Sequence, residues 1–130
     1  MSGRSRLVLW APVLLLLAFE TYLSSQSRLP GLGISFPNLD KLEHAGYFFL
    51  TGLMAVRAAR FGERWSRGKT AVLLVLTSFL WGCLDEIHQS YVPLREVEIG
   101  DVLADTAGVA LAVAFGGRVL RGTGLDRTVR

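Results

Sequence analysis

Long apolar blocks alternate with short polar gaps along the chain. Apolar residues dominate stretches 7–23, 44–59, 70–87 and 102–120, and most charges stand between them. A helix needs ~20 mostly apolar residues to cross the hydrocarbon core of a bilayer. The pattern therefore predicts four transmembrane helices. The first holds Leu14, Leu15, Leu16 and Leu17 in a row and carries Pro12, which a membrane helix tolerates. The second is short, so its ends must borrow from Lys41 and Phe61. The third continues as polar helix toward Gln89. The predicted fold is all-α: a single four-transmembrane-helix bundle over residues 1–121, followed by a mobile polar tail at 122–130.

The start of the chain has a second reading. Arg4 and Arg6 ahead of an apolar core also fit a cleaved secretory signal, with Ser25 and Ser27 near a cleavage position. The length of the apolar stretch and the lack of a closing Ala-x-Ala favour a retained first span.

Charge orients the bundle. Eleven of the 14 basic residues fall on one side of the predicted membrane: Arg4, Arg6, Arg57, Arg60, Arg64, Arg67, Lys69, Arg118, Arg121, Arg127 and Arg130. Arg28, Lys41 and Arg95 fall on the other. Basic residues concentrate in cytoplasmic loops, which puts both termini in the cytoplasm. Of the 11 acids, only Glu63 and Asp126 share the basic side. Acids contribute little to topology, so their gathering at the outer side needs another cause. Trp10, Tyr22, Trp65 and Tyr91 fall near predicted interfaces, as membrane aromatics do.

Composition agrees with a membrane solvent: 51% of residues are hydrophobic and 19% charged. A net charge of +3 is too small to suggest nucleic acid as a partner. Cys83 is the one cysteine, so no internal disulfide is possible, and it sits within an apolar block as a small hydrophobe. The fourth span carries Ala104, Gly108, Ala112 and Gly116 at a spacing of four, hence on one face. Small faces let helix backbones approach closely in lipid. This face serves either internal packing or a helix–helix partner, with Gly46, Gly52 and Gly82 as complementary surfaces.

Three polar clusters approach the outer side. Asp40, Lys41, Glu43, His44 and Tyr47 stand at the entrance of span two. Asp85, Glu86, His88 and Gln89 stand at the exit of span three. Arg95, Glu98, Asp101 and Asp105 lead into span four. Glu20 is a weaker member, in the outer half of span one. Ionisable groups at membrane depth are costly, so they persist where they pair or line a watery cavity. Topology brings all three clusters to one side, which predicts a shared polar site. Interfacial charges that snorkel or pair structurally are the competing explanation. His44 suits proton shuttling, because imidazole titrates near neutrality. Lys41 and Arg95 suit an anionic headgroup. His44 with carboxylates at 40, 86, 101 or 105 would suit a divalent ion, but no HExxH or Cys/His spacing occurs and no metal is predicted. There is no nucleophile elbow and no glycine-rich phosphate loop. No charge lies near the middle of spans two to four, which argues against an ion path.

Asp40-Lys41-x-x-His44-x-x-Tyr47, then Asp85-Glu86-x-x-Gln89, then Arg95 followed by Asp101 and Thr106-Ala107-Gly108, resemble the VanZ-like family of bacterial membrane proteins over about residues 37–117. That family commonly has Asn where this chain has Asp105, which adds a carboxylate here. His88 is not part of the pattern. The family takes its name from a protein linked to teicoplanin resistance. The resemblance implies a cell-envelope setting in the bacterial cytoplasmic membrane, and it supplies no activity.

The combined expectation is an outward-facing polar site that binds or processes a lipid-linked or phosphorylated envelope component. His44, Glu86 and Asp101 are its candidate catalytic groups. Asp40, Lys41, Tyr47, Asp85, Gln89, Arg95 and Asp105 are its candidate binding groups. The sequence points to no particular cofactor; membrane lipids are the expected partners. The alternative is a non-enzymatic membrane partner or scaffold, with the polar cluster structural and the small-residue face of span four docking another protein.

Overall fold

The computed structural model describes residues 3–27 and 36–122. Of the tail expected at 122–130, Gly122 ends the last helix, and the rest, with Asp126, Arg127 and Arg130, lies outside the described residues, as do Arg28 and the side chain of Arg4. Four α-helices form the fold: α1 Gly3–Ser24, α2 Leu39–Val56, α3 Arg67–Gln89 and α4 Ile99–Gly122. A π-helical segment, Arg57–Gly62, continues α2. No strand occurs among the described residues.

Three of these helices are long and apolar enough to cross a membrane: α1 from Arg6, α3 and α4. Four helices are present as expected, and three of them have the length and apolarity of a span. The α2 helix has 18 residues, and Asp40, Lys41 and Glu43 are among them. The π-helical segment lengthens α2. Helical backbone runs on to Gly62, and Arg57 and Arg60 are the charged residues between Ala45 and Phe61. Glu63 N–H bonds to the Ala58 carbonyl five residues back, the wide spacing of a π turn. Ala58 and Ala59 are fully buried there, and Arg60 donates to the Trp65 carbonyl at 2.7 Å just beyond its end. Ser66 then opens α3, accepting the Lys69 backbone N–H at 3.2 Å as an N-cap.

Contacts fix the helix directions. Trp10 lies against Trp65, Glu20 bonds to Trp81 and Ser24 bonds to Asp85, so α1 and α3 run parallel. Lys41 meets Asp101, His44 meets Asp105 and Val56 faces Gly116, so α2 and α4 run parallel as well. The Tyr47 hydroxyl donates to the Leu16 carbonyl at 2.6 Å and joins the two pairs. The result is an up-down bundle whose ends differ chemically: Arg6, Glu63, Trp65 and Arg118 lie at one end, and the acid-rich clusters at the other.

The largest interface is between α2 and α4. The small-residue face of α4 forms it. Gly108 lies on the Ala45 carbonyl, Ala112 meets Gly52, and Gly116 lies against Leu53 and Val56. A partner docking on that face would have to displace α2. Gly82 packs against Val102 in the same manner, whereas Gly46, expected among the packing glycines, has nothing within 4 Å of its would-be Cβ. The outer surface is apolar: Leu7, Leu15, Val72, Leu76, Leu103 and Leu111 are all exposed. Meanwhile Glu20, Asp85, Glu86, Gln89, Asp101 and Asp105 are buried. Polar groups inside and bulky apolar groups outside suit a lipid solvent and not water.

Candidate functional site

The site is built from side chains spaced four apart on parallel helices. Trp81, Asp85 and Gln89 follow one face of α3, and Glu20 and Ser24 follow the facing side of α1. Trp81 Nε1 donates to Glu20 Oε2 at 3.1 Å. Ser24 Oγ donates to Asp85 Oδ1, and Gln89 Nε2 donates to Asp85 Oδ2 at 2.6 Å. Asp85 is thereby satisfied on both oxygens although it is buried. Gln89 passes the chain outward, accepting Arg95 Nε at 3.3 Å.

A second network joins α2 to α4. His44 Nδ1 lies 2.8 Å from Asp105 Oδ1, and its Nε2 lies 3.9 Å from Asp101 Oδ2. One turn earlier, Lys41 Nζ contacts Glu98 at 2.5 Å, Asp40 at 2.7 Å and Asp101 at 3.3 Å. In the first turn of α2, ahead of its apolar stretch, the Lys41 ammonium beside Asp40 holds that carboxyl below the ordinary carboxylate range. Asp40, Glu98 and Asp101 come close enough to share a divalent ion, but the Lys41 ammonium contacts all three. Glu86 turns to the loop before α4 and accepts the Glu98 backbone N–H at 2.7 Å.

The expected residues therefore fall into two groups. Lys41, Asp40, Asp85, Glu86, Asp101 and Asp105 are committed to partners within the protein. Glu20, Glu43, His44, Tyr47, Gln89 and Arg95 line a cavity of about 140 Å³ between the networks, with Leu23, Ser24 and Phe48. Arg95 is the basic residue on that wall, and no carboxylate among the described residues pairs with it. His44, Glu20, Tyr47 and Gln89 belong to both groups, since each also bonds within the protein. His88 lies 3.9 Å from Asp85 and 3.5 Å from Ser25, outside the cavity lining.

Ser24 and Trp81 are site residues that the sequence reading passed over. A signal for each existed. Ser24 is one helical turn after Glu20, and Trp81 one turn before Asp85, so each extends a polar stripe already begun.

A second cavity, of about 190 Å³, lies further along the same side of the bundle. Its lining is almost wholly apolar and includes Trp10, Val13, Leu17, Leu74 and Trp81. Phe48 forms a wall of both cavities, and the Glu20–Trp81 hydrogen bond links their linings.

No curated protein and no solved structure compared with the chain matches it. The family model described as VanZ/LLP1 matches residues 5–117, which takes in α1, all the clustered polar residues and most of α4. With that match over nearly the whole helical bundle, the chain belongs to the VanZ/LLP1 family.

Proposed function

We propose that this protein sits in the bacterial cytoplasmic membrane and holds a lipid-linked, phosphorylated envelope component at the outer, acid-rich end of its bundle. One observation carries the reading: a cavity that holds His44 and an Arg95 with no carboxylate partner among the described residues adjoins a second, almost wholly apolar cavity across Phe48. That is the shape of an amphiphile. Arg95 would take the phosphate, in the manner of guanidinium–phosphate pairs. Glu20 and Glu43 would accept from hydroxyl or amine donors of the headgroup, and the apolar cavity would hold part of the chain. Any proton transfer to the bound headgroup would fall to His44, which Asp105 orients. Asp101, 3.9 Å from the other ring nitrogen, would assist it, and Glu86 would support the loop that carries Arg95.

The test is extraction of the protein with its native lipid shell, followed by mass spectrometry of what co-purifies. A phosphorylated amphiphile enriched over bulk lipid, and lost in Arg95→Ala and Glu20→Gln, is the expected result. Bulk composition in the parent and in both variants would sink the proposal. A second reading rests on the saturation of the two networks, which favours a structural lock in a non-enzymatic membrane partner. Under it, Arg95→Ala lowers thermal stability as Lys41→Met does. Under the first, Arg95→Ala leaves stability near that of the parent.

A further inference from the structure

The opposite end of the bundle carries a larger feature that none of this uses. A groove of about 470 Å³ opens where the π-helical segment, α3 and α4 meet. Arg60, Arg67, Arg118 and Arg121 line it, and no acid does. Glu63, the one described acid at this end, pairs with Arg6 at 3.4 Å on the α1 side. No carboxylate among the described residues pairs with any of the four groove arginines. The Arg60 guanidinium is held in place by its 2.7 Å bond to the Trp65 carbonyl, which leaves its remaining donors for other acceptors. Val56, Phe61, Val113 and Ala114 line the rest, so the groove is cationic and apolar at once.

We infer that this groove binds an anionic phospholipid, with the phosphodiester among the arginines and the upper acyl chain along Val56 and Val113. Two physical reasons select this occupant. Four guanidinium groups with no carboxylate partner among the described residues repel one another until an anion neutralises them. Their position at the end of membrane-crossing helices puts them at headgroup depth, where basic pockets between helices meet anionic lipids. A soluble anion would satisfy the charge but would leave the apolar wall unused.

The experiment uses the full chain reconstituted in phosphatidylcholine vesicles with trace spin-labelled phosphatidylglycerol or phosphatidylcholine. The immobilised fraction of each label reports association. The parent should immobilise phosphatidylglycerol in excess over phosphatidylcholine. The double variant Arg67→Gln, Arg118→Gln should reduce that excess roughly ten-fold. Gly117→Leu keeps all four arginines and fills the groove; the Cβ added there meets only Arg121, at 4.0 Å. It too should lose the excess. Arg64→Gln removes a charge at the same end but outside the groove lining and should leave the excess intact. The inference is overturned if the parent shows no excess, if Arg64→Gln is as damaging as the double variant, or if Gly117→Leu is harmless. Displacement of the label by millimolar inorganic phosphate would also overturn it, since the groove would then be a site for free anions.

Discussion

His44 and Asp105 show what a single pairing does in this bundle. Asp105 is almost fully buried, and the His44 ring lies at hydrogen-bond distance from it, at 2.8 Å. Removing one member of a buried pair costs ~1–3 kcal/mol, whereas an isostere that still accepts the bond costs little. Asp105→Ala should therefore lose about that much in unfolding experiments in detergent, and Asp105→Asn should stay near the parent. If Asp105→Asn were as destabilising as Asp105→Ala, the carboxylate charge itself, and not the hydrogen bond, would hold His44. Lys41 is different in kind. Its side chain is partly exposed, so its three ion pairs are screened by solvent and contribute little to stability.

At the scale of elements, close helix approach does most of the work. Without a hydrophobic drive between helices in lipid, association depends on van der Waals contact, and contact depends on small residues at the crossing. Gly108 and Gly46 make a controlled pair. A methyl group on Gly108 would strike the Ala45 carbonyl oxygen and the Phe49 amide nitrogen at 2.9 Å, both rigid backbone. A methyl group on Gly46 would meet nothing. Gly108→Ala should cost about 1–3 kcal/mol or prevent folding. Gly46→Ala should be neutral or stabilise by up to about 1 kcal/mol, as expected of a glycine freed from helix entropy. Equal effects of the two substitutions on thermal unfolding would contradict the packing described. Register belongs to this scale too. Glu20–Trp81, Ser24–Asp85 and His44–Asp105 are each separated by 61 residues. Both parallel pairs are thus aligned at the same offset, which levels the polar groups of all four helices at one end.

For the whole molecule, the helix directions separate a basic end from an acid-rich end. The positive-inside rule then predicts the first in the cytoplasm and the second outside. Single cysteines test it once Cys83 is replaced by alanine. Ser90→Cys should react with a membrane-impermeant maleimide on intact cells, and Arg64→Cys only after permeabilisation. The reverse pattern would invert the protein and move the headgroup cavity to the cytoplasmic leaflet.

Much of this was legible along the chain. Helix positions followed from the lengths of apolar runs, and the gathering of acids at one end followed from the alternation of spans. The clusters at Asp40–Tyr47 and Asp85–Gln89 followed from spacings of three and four, all of them local, one-dimensional quantities. Rotation about each helix axis was not legible. A helix in lipid is apolar on its outer face and small or apolar on much of its inner one, so periodicity marks the buried side weakly. Only the tertiary structure decided that Ser24 and Trp81 join the site, that Lys41 is consumed by three carboxylates while Arg95 faces a cavity, and that a π turn completes the second helix. It likewise assembled four arginines from three elements into one groove. Each of these depends on contacts between residues distant in sequence or on local backbone geometry, and composition and spacing carry no measure of either.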